Sequence, residues 1–103
     1  MPDPEVKFPE INRTIHEPAR LAILTVLSAC RSADFQFLQS ATGLSKGNLS
    51  VQLTRLQEAG LARVRKEIVD KKMRTTASLS PRGAKEIAAY WSMMENVRKT
   101  FDV

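Results

Sequence analysis

Residues 44–60, Leu-Ser-Lys-Gly-Asn-Leu-Ser-Val-Gln-Leu-Thr-Arg-Leu-Gln-Glu-Ala-Gly, constrain the fold more tightly than any other stretch of this chain. Leu49, Leu53 and Leu56 repeat at helical spacing and define one narrow side that must be buried. Ser45 is a good N-cap, and Gly60 stands where such a helix ends. The opposite side presents Gly47, Asn48, Val51, Thr54 and Arg55, flanked by Lys46 and Ser50. An ordinary surface helix carries long charged side chains there. Small groups and hydrogen-bonders instead suit a helix that lies deep in a DNA major groove, although a merely solvated face fits the same residues.

The surrounding pattern supplies the context for that helix. Three of the five prolines fall in residues 1–10, an irregular arm, and Ile11–Ile15 can make a short helical turn. Pro18 suits the first position of a helix capped near His16 or Glu17. Ile23, Leu24 and Leu27 form its stripe, widened by Leu21 and Val26, and its end is expected near Cys30 to Ser32. Asp34 can cap a shorter helix through Phe35, Phe37, Leu38 and Ala41, which Gly43 terminates. Two helices joined by the tight turn Thr42-Gly43-Leu44-Ser45 make a helix-turn-helix.

After Gly60 the period falls from helical spacing to two. Val64, Lys66 and Ile68 alternate with Arg63, Arg65 and Glu67; Asp70-Lys71-Lys72 is a polar tip; Met73, Thr75, Ala77 and Leu79 alternate on the return. Ser80-Pro81 then restarts a helix that runs to about Phe101, about 30 Å at 1.5 Å per residue. The expected class is mainly α, in an α+β winged-helix arrangement: a three-helix core, a two-stranded wing and a long last helix. The divisions are an arm at 1–15, the helix-turn-helix and wing at 16–80, and a C-terminal helix at 81–103.

Composition narrows the function classes. One hundred and three residues fit one domain, and a formal charge of +5 favours a polyanionic partner. No apolar run is long enough to span a bilayer and the start is polar and acidic, so a cytoplasmic protein without a membrane partner is expected. A single cysteine excludes an intrachain disulfide and a cysteine-rich zinc site. One His and one Cys, spaced fourteen apart, are too few for a metal sensor, so no metal or other cofactor is expected. Cys30 reads as a small buried hydrophobe and His16 as a capping or surface residue. No nucleophile elbow or phosphate loop surrounds either, and the chain is not expected to be an enzyme.

Four segments together resemble the MarR/ArsR-type winged-helix transcriptional regulators, in particular their short stand-alone members. They are Pro18-Ala19-Arg20-Leu21-Ala22-Ile23-Leu24; Leu49–Leu56 followed by Glu58-Ala59-Gly60-Leu61; the wing run Asp70-Lys71-Lys72-Met73-Arg74-Thr75; and Leu79-Ser80-Pro81-Arg82-Gly83. The resemblance spans about residues 16–95. It implies a homodimer that places two recognition helices in successive major grooves of double-stranded DNA, with wings on the flanking backbone or minor groove. The metal-binding cysteine pair of some relatives is absent here.

Each group then acquires an expected role. Segment 63–74 holds six basic residues against two acidic ones. Lys71, Lys72 and Arg74 are expected on DNA phosphates, although edge strands also carry such charges to block aggregation. Arg63 and Arg65 are as well suited to solvent. Asp70 is expected to orient a neighbouring basic side chain. In the recognition helix, about residues 46–59, Asn48 can pair with adenine, Val51 can meet a thymine methyl, and Ser50 or Thr54 can bond a base or phosphate. Arg55 can pair with guanine or, lower on the helix, hold a phosphate. The amides near Ser45 and Lys46 suit a phosphate.

In the last helix, Ala84, Ile87, Ala88, Trp91, Met94, Val97 and Phe101 form a seam, with Tyr90 and Met93 beside it. Trp91, Met94, Val97 and Phe101 are expected at a homodimer interface, helped by Ile11 and Ile15; the competing arrangement folds the seam back onto the first helix. The resulting expectation is a dimeric repressor that occludes a promoter. The alternative is a winged-helix module that binds another protein and has lost specific DNA binding. A small-molecule effector between the long helix and the core is possible, but no residue selects its chemistry.

Overall fold

The computed structural model describes residues 5–102; the first four residues of the expected arm lie outside that range. Helix α1 (Pro18–Ser28) follows a turn in which the Asn12 carboxamide oxygen accepts from the amides of Thr14 and Ile15. Glu17 is the N-cap, with its carboxylate accepting from the amides of Ala19 and Arg20. The helix closes at Ala29, just before the expected Cys30–Ser32, and residues 30–32 lead into a short strand. That strand, β1 (Ala33–Asp34), is absent from the sequence reading. Asp34 also caps α2 (Phe35–Thr42), which Gly43 ends at φ +72°.

Helix α3 (Lys46–Glu58) begins at Ser45, whose hydroxyl accepts from the Asn48 amide. The antiparallel strands β2 (Ala62–Val69) and β3 (Lys72–Leu79) follow, and the long helix α4 (Pro81–Phe101) completes the chain. The sheet has three strands in the order β1-β3-β2, one more than the expected wing. Ala33 pairs with Ala77 and Asp34 with Thr76, which ties the foot of the wing to the start of α2.

The expected triad Leu49, Leu53 and Leu56 is buried and meets Ile23, Leu24, Leu27 and Leu38 in one core. Burial of each such side chain contributes about 1.5–3 kcal/mol. Phe37 is 50% exposed, because α2 turns only Leu38 fully inward. One expectation changes. Ile15 is fully buried in the chain's own core and so is not an outward anchor for a partner, while Ile11 is half-buried against that core.

The joint between α3 and α4 explains two of the short sequence motifs. Gly60, at φ +78°, turns the chain out of α3, and Leu61 is buried. The Ser80 amide donates to the Leu61 carbonyl at 3.1 Å, and the Ser80 hydroxyl donates to the Gly60 carbonyl at 2.6 Å. The same hydroxyl accepts from the Gly83 amide and caps α4. Helix α4 therefore starts directly on the turn that ends α3.

Candidate nucleic-acid interface

Burying the leucine side of α3 turns its other side outward. Lys46, Gly47, Asn48, Ser50, Val51, Thr54 and Arg55 are all exposed, and Val51 keeps 49% of its surface. Helix geometry leaves the first-turn amides of Lys46 and Gly47 without an intrahelical acceptor, while Ser45 already holds that of Asn48. Thr54 donates its hydroxyl to the Ser50 carbonyl at 3.1 Å, so it presents a methyl group and acceptor lone pairs outward. Ser50, Val51, Thr54, Arg55 and Glu58 together line a shallow groove.

The strand register places Val64 opposite Ala77, Lys66 opposite Thr75 and Ile68 opposite Met73, with Arg63, Arg65, Glu67 and Arg74 on the other face, as the period of two implies. A cleft of about 530 Å³ opens between α2, α3 and the hairpin, and Lys46, Ser50, Thr54 and Lys66 all contribute to its walls. The structure therefore brings one edge of the outer side of α3 (Lys46, Ser50 and Thr54) and one face of the wing to a single concave surface, while Val51 and Arg55 line the separate groove on α3. Lys66 belongs to that surface, although sequence reasoning gave it no role on DNA; its place beside Val64 in the alternation was the available signal. The cleft lies on the α3 side, not between α4 and the core where an effector pocket was considered.

The wing ends in a two-residue turn, Asp70-Lys71, with both residues at positive φ (50° and 64°), shorter than the three-residue tip expected. This is the mirror-image turn whose twist matches a hairpin. It leaves Lys71 and Lys72 exposed at the tip of the hairpin. Arg74 is arranged differently. Its guanidinium lies 3.5 Å from Asp34, whose other carboxylate oxygen caps α2 by accepting from the Phe37 amide. The acidic partner that orients this basic side chain is thus Asp34, and the expected role of Asp70 passes to it.

Arg20 lies behind α3, with its side chain only 14% exposed. It donates to the carbonyls of Thr14 and Arg13 and to the Gln52 carboxamide oxygen. Partial desolvation acts to raise the Glu17 carboxyl, but the amides of Arg20 and Ala19 and the charges of Arg20 and Arg55 hold it below its ordinary value.

Helix α4 divides the expected seam in two. Gly83, Ile87 and Tyr90 are buried, and Met93, Met94 and Val97 continue the same side half-buried. The Tyr90 hydroxyl lies 2.7 Å from His16 Nδ1. Phe101 stacks on Phe8 of the chain's own arm, with ring centroids 6.0 Å apart. Ala84, Ala88 and Trp91 instead face outward, and Trp91 keeps 45% of its surface. Of the four expected interface residues, Trp91 is the outward one, while Met94, Val97 and Phe101 are partly covered within the chain. Cys30 is half-buried rather than a core side chain. Among the described residues no three His, Cys, Asp or Glu side chains come together, and no helix is long and apolar enough to cross a membrane.

The chain matches a family model described as a winged helix DNA-binding domain over residues 19–97. Among solved structures it is similar to a transcriptional regulator homologue from Pyrococcus horikoshii OT3, with 28% identity, 89% of this chain and 91% of that one covered, and a TM-score of 0.83. A candidate DNA-binding protein from Ralstonia eutropha JMP134 is 30% identical, with 71% of this chain and 94% of that one covered at a TM-score of 0.63. A MarR family transcriptional regulator from Silicibacter pomeroyi DSS shares the fold at 20% identity and a TM-score of 0.68, over 84% of this chain and 56% of that one. No curated protein matches the chain.

Proposed function

This chain belongs to the winged helix DNA-binding domain family, with the fold of the MarR-type transcription regulators, and from that premise we propose that it is a homodimeric, sequence-specific repressor. The observation that carries the reading is the shared concave surface of α3 and the basic hairpin. Helix α3 enters the major groove with Asn48, Ser50, Val51 and Thr54 towards base edges. The amides at Ser45 and Lys46, together with Arg55, take phosphates. Lys71 and Lys72 at the wing tip, and Arg74 less strongly because Asp34 shares its charge, take the flanking backbone or minor groove. The outward Ala84, Ala88 and Trp91 side of α4 supplies the two-fold contact, and repression follows from occlusion of a promoter.

The test is a titration of labelled duplex DNA by fluorescence anisotropy across a range of salt concentrations. Neutralisation of several phosphates requires the logarithm of the affinity to fall linearly with that of salt, by about 0.9 for each phosphate. No binding at low salt would overturn the reading in favour of a winged-helix module whose partner is a protein.

A further inference from the structure

Arg20 is a guanidinium with donors only, and its partly buried side chain lies behind α3. Two backbone carbonyls, of Thr14 and Arg13, and the nearby Glu17 carboxylate fix its plane. Its Nη1 meets Gln52 at 3.0 Å, and a group that only donates requires the carboxamide oxygen of Gln52 to face it. The Gln52 Nε2 group must then point the other way. It donates to Asn48 Oδ1 at 3.1 Å, one helical turn earlier on the exposed side of α3. The donor character of a partly buried arginine is passed through two carboxamides, and each orientation follows from the one before.

We propose that this relay sets the base preference of Asn48, deepening the reading of α3 as the recognition helix and resting on it. A free asparagine takes adenine by accepting from N6 and donating to N7. Here Oδ1 is engaged by Gln52, so the group that Asn48 extends outward is its NH2. Two N–H donors suit a base edge rich in acceptors, and guanine, with O6 and N7, is the foremost match in the major groove. Gln52 is the positioning residue and Arg20 its anchor; neither touches the base.

Gln52→Glu inverts the relay without changing its shape. A glutamate still accepts from Arg20 but has no proton to give Asn48, so the Asn48 amide turns to donate its NH2 inward and exposes Oδ1. An exposed acceptor favours the donors on cytosine N4 or adenine N6. The added negative charge weakens binding to all sequences alike, so base preference is the readout rather than affinity.

The experiment compares binding selections on random duplex DNA for the wild type, Asn48→Ala and Gln52→Glu, with side-chain amide NMR of each free protein. The wild type is expected to prefer guanine roughly tenfold at one position, Asn48→Ala to lose that preference alone, and Gln52→Glu to move it to cytosine or adenine. In the free proteins, the hydrogen-bonded amide proton should belong to Gln52 in the wild type and to Asn48 in the Glu variant. An unchanged base at that position in Gln52→Glu, or adenine there in the wild type, overturns the relay. Correct NMR signatures with no motif enriched by any of the three would show that the reading of α3 as a base-reading helix had failed, and the specificity role with it.

Discussion

A methyl group on Gly83 would sit 1.9 Å from the Leu61 carbonyl oxygen, whereas one on Gly47 would meet nothing within 4 Å. The same substitution should therefore have opposite signs at the two sites. Gly83→Ala must push α4 off the turn that ends α3, and we expect a loss of about 3 kcal/mol or more in urea unfolding. Gly47→Ala should gain about 0.5 kcal/mol from its better helix propensity. The Glu17 cap gives a pH test. Its carboxyl titrates lower in the folded chain than the ordinary 4.5, so its stabilisation is present above that value and is lost as pH falls through the folded one. Glu17→Gln should lower the urea midpoint at pH 7, and the difference from the wild type should shrink as pH falls through the folded-state value below 4.5. Caps such as Ser45, Asp34 and Ser80 were legible because donor and acceptor lie within three residues of each other. The Arg20–Gln52 bond was not, because it joins residues 32 apart that only packing brings together.

Among the elements, the wing shows most clearly where charge and backbone shape can be separated. Lys71 holds a left-handed conformation that glycine adopts more easily. Lys71→Gly should raise the melting temperature while weakening DNA binding, a combination that a purely structural tip lysine would not produce. Lys71→Ala with Lys72→Ala should weaken all duplex sequences alike. The salt slope should fall by about 0.9 for each phosphate that is no longer neutralised, as anisotropy titrations would measure. The hairpin itself was readable, since period two persists through both strands and the register pairs the residues that alternation put on one face. Strand β1 was not readable. Two residues carry no period, and Ala33–Asp34 becomes a strand only because Ala77 and Thr76 pair with it. That pairing places Asp34 beside Arg74, so the missed strand is also why Arg74 was expected to be as available as its lysine neighbours.

At the scale of the whole molecule, the radius of gyration is 16.2 Å, well above the roughly 13 Å of a compact domain of this length. The extents of 61 × 25 × 20 Å describe an elongated molecule. In the proposed dimer the exposed Trp91 side of α4 meets a second copy. Trp91→Glu should yield a monomer by sedimentation equilibrium, with little change in the fold of the core. The seam of α4 was visible in its spacing, but which side would meet the core depended on Gly83 against Leu61 and on Tyr90 reaching His16, contacts that local periodicity does not encode. The most direct measurement is a binding selection on random duplex DNA with the purified wild-type protein at near-physiological salt. Two α3 helices related by two-fold symmetry require a palindrome with half-sites about one DNA turn, or 34 Å, apart. Recovery of no motif, or of a single unrepeated half-site, would contradict a dimeric, sequence-reading regulator.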